Sequence, residues 1–464
     1  MFVRHAAVGA LIIAVSACTE DPTGRATAPH IDGATIAANP NNVLSVVITA
    51  TARDADSVAV RFGRTNQTSA VDTTPAVPVV NQTATVPVLG LLPAADYSFR
   101  VMAFGPGGTA VTEPLEFTTG ALPPDLPTFA ASGSDPAPGF VTLASGKYAL
   151  AIDNNGRVVW YRYFPNGAGL NLMAQQNGHY VLRPPTPEAG DIEPWVELDA
   201  LGNITRTLGC AYGLQPRLHD LILKSSGDYW ILCDEVRTMD LTAEGGVAAA
   251  RVTGTVIQHI GPAGEVLFHW SPFDHFAITD LDAADRTGAT VNWTHGNALD
   301  LDADGNLIVS FRSLGEITSI DVHTGAVRWR MGGLRNEFTF LDTPIPAFAR
   351  QHGLRALRRG EIVLLDNMGN PTESRVERYL VDETTRTARL AQSYGSTPGV
   401  MTEIGGSVQP LPTGRTLVSF GTAGRVEEYD SSDRLLWHIE GNPGYVFRAQ
   451  RIHSLYHPGA GDPR

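Results

Sequence analysis

Short apolar runs alternate with turn-forming residues along most of the chain, and helical periodicity is weak throughout. Period-two runs bounded by Gly, Pro, Asn and Asp predict strands. Between about Pro29 and Thr119 such runs fall at Val43–Thr51, Ser57–Phe62, Thr83–Val88, Tyr97–Ala103 and Leu115–Thr118. The proline-dense stretch 120–139 predicts a semi-stiff linker. Beyond it one pattern recurs: a Gly-containing turn, an apolar strand, a second turn, and a strand that often ends in Trp. Its turn glycines are Gly146, Gly178, Gly227, Gly305, Gly360 and Gly414, and its tryptophans include Trp160, Trp270, Trp329 and Trp437. Six irregular copies of about 50 residues predict an all-β, six-bladed β-propeller over 140–464, each blade a four-stranded antiparallel sheet. The long third interval leaves room for an insertion at Thr238–Gly254.

Composition agrees with many short strands. The chain of 464 residues holds 47 Gly and 31 Pro, is 43% hydrophobic and carries only 18% charged residues. Its net charge is −14, and its only lysines are Lys147 and Lys224. With no basic run, nucleic acid is excluded as the expected partner.

Met1–Ala17 opens with Arg4 and His5 and continues as an apolar stretch, Ala6–Val15. That stretch is too short to span a bilayer and reads as a signal-peptide core. Val15-Ser16-Ala17-Cys18 resembles the lipobox of bacterial lipoproteins, which implies a signal peptide over 1–17, lipidation of Cys18, and a tether over 18–28. Thr19 after the cysteine favours, by the same resemblance, anchoring in the bacterial cell envelope at the outer membrane or periplasmic face. An oxidising exterior permits a Cys210–Cys233 disulfide, a pairing that sequence leaves open. In the first unit, Leu91-Leu92-Pro93-Ala94-Ala95-Asp96-Tyr97, followed by Phe99, Val101 and Ala103, resembles the tyrosine corner of a fibronectin type III sandwich. That resemblance implies a small β-sandwich over 29–119, read as a spacer.

Candidate chemistry centres on histidine. Among 13 histidines, His219 lies eight residues before Gly227, His295 ten before Gly305, and His352 eight before Gly360. Matching positions in a radial repeat converge on the axis, so the three are read as one site. Arg312 ends the apolar run Leu307–Phe311; its planar fork suits two oxyanion oxygens. Asn297 adds an amide donor to the same space. Trp270, Phe273 and His275, in the cluster 268–276, are read as walls of an aromatic-substrate slot.

From His219 onward the chain resembles the bacterial arylsulfotransferase family. The matching stretches are Thr294–Asn297, Asp304–Arg312, Thr324-Gly325 with Trp329–Gly333, Gln351-His352, Leu364–Asn367, Gly406–Pro412 and Tyr445–Arg448. The family consists of six-bladed propellers that move a sulfuryl group from one phenol to another through a sulfated histidine. It needs no nucleotide donor (PAPS-independent) and no cofactor. By position the resemblance makes His352 the nucleophile, with His219, His295, Asn297 and Arg312 holding sulfate and assisting proton transfer. The implied partners are an aryl sulfate donor and a phenolic acceptor. Gly353-Leu354-Arg355 after the nucleophile departs from the family pattern, and the repeats before His219 match poorly.

Rival readings are fewer in support. Asp300–Gly305 imitates a calcium loop, but Phe311 stands where a bidentate Glu is required, so no metal is expected there. A metal-dependent hydrolase needs several axial carboxylates, and only Asp220 and Asp366 are candidates. The remaining alternative is a catalytically silent surface propeller that binds a protein or glycan. Neither lysine lies in a nucleotide-binding Gly-rich loop.

Overall fold

The computed structural model describes residues 27–67, 71–186, 191–343 and 347–459, so Cys18 and the 1–17 segment lie outside the described residues. The chain is all-β. Among the described residues the only helical pieces are six short 3-10 turns of three or four residues, and no helix is long and apolar enough to cross a membrane.

The N-terminal unit is two sheets facing each other across one apolar core that includes Val46, Ile48, Val60, Phe99 and Val101. One sheet holds His30–Ala38, Val46–Arg53 and Thr83–Val88; the other is built on Ser57–Arg64 and Asp96–Gly105. The Tyr97 hydroxyl accepts a 2.9 Å hydrogen bond from the backbone N–H of Leu92, five residues upstream.

Among the described residues, 131–452 form six sheets arranged in sequence, antiparallel except where Thr290–Asn292 and Thr339–Leu341 add parallel edge strands to the third and fifth. The third contains Gln215–Leu223, Tyr229–Met239, Ala250–Ile260 and Val266–Trp270. The fourth contains Gly296–Leu301, Leu307–Phe311, Glu316–Ile320 and Val327–Gly332, and the fifth is built on His352–Arg358, Glu361–Asp366, Arg375–Asp382 and Thr387–Gly395. Two strands distant in sequence close the series. The C-terminal Ala449–Ile452 pairs with Phe140–Ser145 in the first sheet, and the linker strand Ala131–Gly133 pairs with Leu435–Ile439 in the last.

Five of the six turn glycines, Gly178, Gly227, Gly305, Gly360 and Gly414, join the first and second strands of their sheets. Gly146 sits one hairpin further out, because Ala449–Ile452 takes the inner place in the first sheet. The segment expected as an insertion is a hairpin extension instead. Tyr229–Met239 and Ala250–Ile260 stay paired over 11 residues each, out to Met239 opposite Ala250. The decoy at Asp300–Gly305 is a tight turn, in which the Asp302 carboxylate accepts from the backbone N–H groups of Asp304 and Asn306 at 2.8 Å.

Tryptophans stitch neighbouring sheets together. Trp160, Trp270 and Trp437 donate Nε1–H to the backbone carbonyls of Ala200, Gly325 and Asn154, each in the next sheet of the series. Cys210 and Cys233 are joined by a disulfide with Cα atoms 6.2 Å apart. The N-terminal unit rests on the end of the sheets where the Gly178 and Gly227 hairpins lie. Asn39 donates to the Leu201 carbonyl at 2.9 Å, and Leu89 donates to the Tyr456 hydroxyl at 3.1 Å.

Candidate active site

Inner strands of neighbouring sheets bring three histidines together at the opposite end. His219 and His295 place their Nε2 atoms 3.3 Å apart, and the His219 and His352 ring centroids are 6.5 Å apart. The positions are not strict equivalents, contrary to the expectation from their spacing. His352 opens its strand opposite Leu365, His295 precedes Gly296, and His219 lies within a strongly shifted register between Pro216 and Leu221. Each inner strand is irregular at its histidine, and a bulge re-aims side chains out of the regular alternation. His295 itself adopts a left-handed backbone, φ 47°, a conformation costly for a non-glycine residue.

Hydrogen bonds set the tautomers. Asn367 donates Nδ2–H to the carbonyls of Thr402 and Gly405, at 2.8 and 2.9 Å, so its Oδ1 faces His352 as an acceptor. His352 therefore donates Nδ1–H to it at 2.8 Å, which leaves the Nε2 lone pair free. That Nε2 is buried with no hydrogen-bond partner. In the same way Asn292 Nδ2 lies 2.6 Å from His295 Nδ1, which makes Nε2 the protonated atom of His295 and aims it at His219 Nε2.

Burial, then neighbouring positive charge, keeps all three rings neutral. His352 is pulled down to about 4, mainly by burial, with Arg312 and Arg448 acting the same way and the Asn367 hydrogen bond opposing. His295 falls to about 2 through burial and the charges of Arg217 and Arg312. His219 lies well below its ordinary value for the same reasons. Neutral imidazoles with guanidinium charges nearby create a local field that favours an anion.

The supporting residues come from across the fold. Asp220 accepts from Arg355 at 3.0 Å and from Arg448 at 3.3 Å, and Arg448 also donates to the Asn171 side chain at 2.6 Å and the His219 carbonyl at 3.2 Å. Arg217 is buried and paired with Asp234. Phe447 packs edge-on against both His219 and His352, with centroids 5.6 and 6.1 Å away.

Arg312 donates its backbone N–H to the His295 carbonyl at 3.0 Å and Nη2 to the Glu403 carbonyl at 3.2 Å, while its Nε has no partner. It lines a cavity of about 550 Å³ together with Arg350, Leu314, Phe338, Phe340 and Phe348. Asn297 is buried, and its amide is directed at the Gln351 carbonyl, 2.7 Å away. It therefore holds the backbone beside His352, rather than standing open as the expected donor to an anion.

The expected aromatic-substrate slot is not assembled at the histidines. Trp270 is 1% exposed in the outermost strand of its sheet and stacks on His275 at 4.9 Å. Phe273 packs on Trp293 at 5.0 Å beneath the Arg237 guanidinium. All three are packing residues: the outer-strand Trp270 buries its ring against the next sheet, and Phe273 and His275, in the turn that follows, stack on neighbouring side chains. Phe338, Phe340 and Phe348 supply apolar surface beside Arg312 instead.

Sequence reasoning missed Asn367, Arg448, Asp220's pairing and Phe447 as parts of the site. Asn367 was within reach: it lies seven residues after Gly360, as Arg312 lies seven after Gly305. Both follow the second strand of their sheets. Among the described residues, no group of three or more His, Cys, Asp or Glu side chains is arranged to hold a metal ion.

Comparison with known proteins adds the following. No curated protein matches the chain. Similar solved structures include a protein of unknown function from Bacteroides caccae, at 12% identity over 65% of this chain and 93% of that one, TM-score 0.40. Virginiamycin B lyase from Staphylococcus aureus is another, at 12% identity over 68% and 85%, TM-score 0.39. Both are distant, and neither bears on the chemistry. The family model described as arylsulfotransferase (ASST) matches residues 215–442, a span that encloses His219, His295, Arg312, His352 and Asn367, and it supports the arylsulfotransferase family for this chain.

Proposed function

We propose that the chain is an aryl sulfotransferase that moves a sulfuryl group from an aryl sulfate to a phenolic acceptor through sulfo-His352, in two half-reactions and without a nucleotide donor. The observation that carries this reading is the unpartnered Nε2 of His352, kept as a lone pair by Asn367, on a ring that feels the positive charges of Arg312 and Arg448.

Sulfuryl transfer, like phosphoryl transfer, spreads charge over equatorial oxygens, so the work is positioning and charge stabilisation. In the first half-reaction His352 Nε2 attacks the ester sulfur. The bond from sulfur to the aryl oxygen breaks, and the phenolate leaves with the electron pair and takes its proton from water. The ring becomes an imidazolium whose Nδ1–H stays on Asn367. Arg312 neutralises the sulfuryl oxygens, and Phe338, Phe340 and Phe348 receive the aryl ring. In the second half-reaction the acceptor oxygen attacks sulfur, the N–S bond breaks, and its electrons return to Nε2. The His219–His295 pair takes the acceptor's proton and returns it to water. Bound sulfuryl charge offsets the arginine field at that stage, which eases protonation of the pair. Ping-pong kinetics follow.

The same reading takes the six sheets as blades of one propeller over 140–464, and the unit over 29–119 as a fibronectin type III-like spacer joined by the 120–139 linker. It also takes Cys18 as a lipid anchor that holds the enzyme on the outside of the bacterial cytoplasm. Replacement of Cys18 by Ser tests the anchor, and protein that remains in the membrane fraction would sink it.

The reaction is tested with p-nitrophenyl sulfate and phenol. Nitrophenolate release with formation of phenyl sulfate is expected, and His352→Ala should lower it at least ~10³-fold. Undiminished release in the variant overturns the nucleophile, and free sulfate in place of phenyl sulfate indicates a hydrolase.

A further inference from the structure

A second cavity, of about 540 Å³, lies at the far end of the inner strands from the histidines. Those strands run side by side, and the cavity is lined by their final residues. Along Gln215–Leu223, for example, the chain passes from His219 to Ile222 and Lys224, and Lys224 is roughly 16 Å from His219 at about 3.3 Å per residue. Nothing in the sulfuryl-transfer reading uses this space.

Its lining has two parts. Ile222, Leu301, Ala356, Leu357 and Pro410 make it largely apolar. The charged residues are Lys224, Arg355, Arg358 and Arg378 against Asp300, Asp302 and Glu361. Each carboxylate is already engaged. Glu361 is shared by Arg358 and Arg378. Asp302 is held by its turn and by Arg328 at 3.3 Å, and Asp300 accepts from the backbone N–H groups of Leu301 and Ala356. Arg355 differs. It is 4% exposed, its Nη1 pairs with Asp220, and its Nη2 is buried without a hydrogen-bond partner. That Nη2 has no accessible surface while the cavity is empty, so a carboxylate or sulfate oxygen entering the cavity that Arg355 lines satisfies it only as the guanidinium turns toward the ligand.

We propose that this cavity is a second ligand site, for a small molecule that joins an anionic group to an apolar body, with the anion bound by Arg355. The site is separate from the histidine centre and linked to it through the Arg355–Asp220 pair.

Benzoate is a suitable probe, since it is neither a sulfuryl donor nor a phenol. Titration calorimetry on the full chain should show saturable benzoate binding, with acetate at least tenfold weaker because it lacks the apolar body. Arg355→Gln should weaken benzoate at least tenfold. Ala303→Trp, at an exposed turn position lining the cavity, should do the same by filling it, and it decides the matter where Arg355→Gln fails to fold around Asp220. His352→Ala should leave benzoate affinity within twofold. The proposal is overturned by absence of saturable binding to folded protein or by acetate binding as well as benzoate. Undiminished binding in Ala303→Trp, or loss of binding in His352→Ala, overturns it too, the last because it would move benzoate to the histidine centre.

Discussion

His352 donates its Nδ1–H to Asn367 Oδ1 across 2.8 Å, and Asn367 is itself pinned by the carbonyls of Thr402 and Gly405. One amide thereby chooses which imidazole nitrogen is available for attack. Replacing Asn367 by Leu removes the acceptor and frees the ring to adopt either tautomer. Nitrophenolate release is expected to fall by about 10²-fold or more, with the fold intact by circular dichroism. Asn367→Asp places a carboxylate beside the ring, so the acid limb of its pH profile should move upward relative to wild type.

The acid limb of the wild type has its own expected position. His352 must be unprotonated to attack, and it is held down to about 4. Thus kcat/KM should be level through neutral pH and fall only as pH drops through about 4. A limb near 6.5, the ordinary histidine value, would show that burial does not control this ring.

The same three histidines make folding pH-dependent. Unfolded, each titrates near 6.5, whereas folded His295 and His352 titrate at about 2 and 4 and His219 also lies low. The unfolded chain binds more protons between those limits, so the histidines destabilise the fold as pH falls below 6.5. Each contributes a slope of at most ~1.4 kcal/mol per pH unit. Thermal melts of His295→Asn from pH 4 to 7 should show a shallower rise than wild type, and an identical rise would contradict it.

Arg312 combines a fork beside the cavity with a positive field on all three rings. Substituting Lys keeps the charge and loses the fork. Turnover should drop by roughly 10–10²-fold in Arg312→Lys and 10²–10³-fold in Arg312→Gln, read from steady-state kinetics.

Gly353 follows the nucleophile with φ 63°, and a Cβ there would meet the Val408 nitrogen at 2.8 Å and the Ser407 Cα at 2.9 Å. The next sheet's inner strand thus passes too close to this position for a side chain. Gly353→Ala should lose about 1–2 kcal/mol from the backbone conformation alone, more from the contact, and should lower turnover by displacing His352. Unchanged melting and activity would refute this.

Strand positions, the six turn glycines and the residues worth testing were legible in the sequence because each is a local signal. Alternation, a Gly turn and an interval to the nearest histidine all reside within about ten residues. Those signals were enough to single out His219, His295, His352 and Arg312. What they could not carry was direction. The bulges at the three inner strands, the Asn367 anchor, and Arg448 reaching Asp220 from 228 residues away depend on which strands lie side by side. Trp270, Phe273 and His275 show the converse: an aromatic cluster suggestive in sequence became packing, since the outer-strand Trp270 faces the next sheet and the turn after it folds back on its neighbours. Composition and spacing determined that this is a chain of turn-rich strands with a histidine set; long-range pairing alone decided which of its side chains meet, and which nitrogen is left bare.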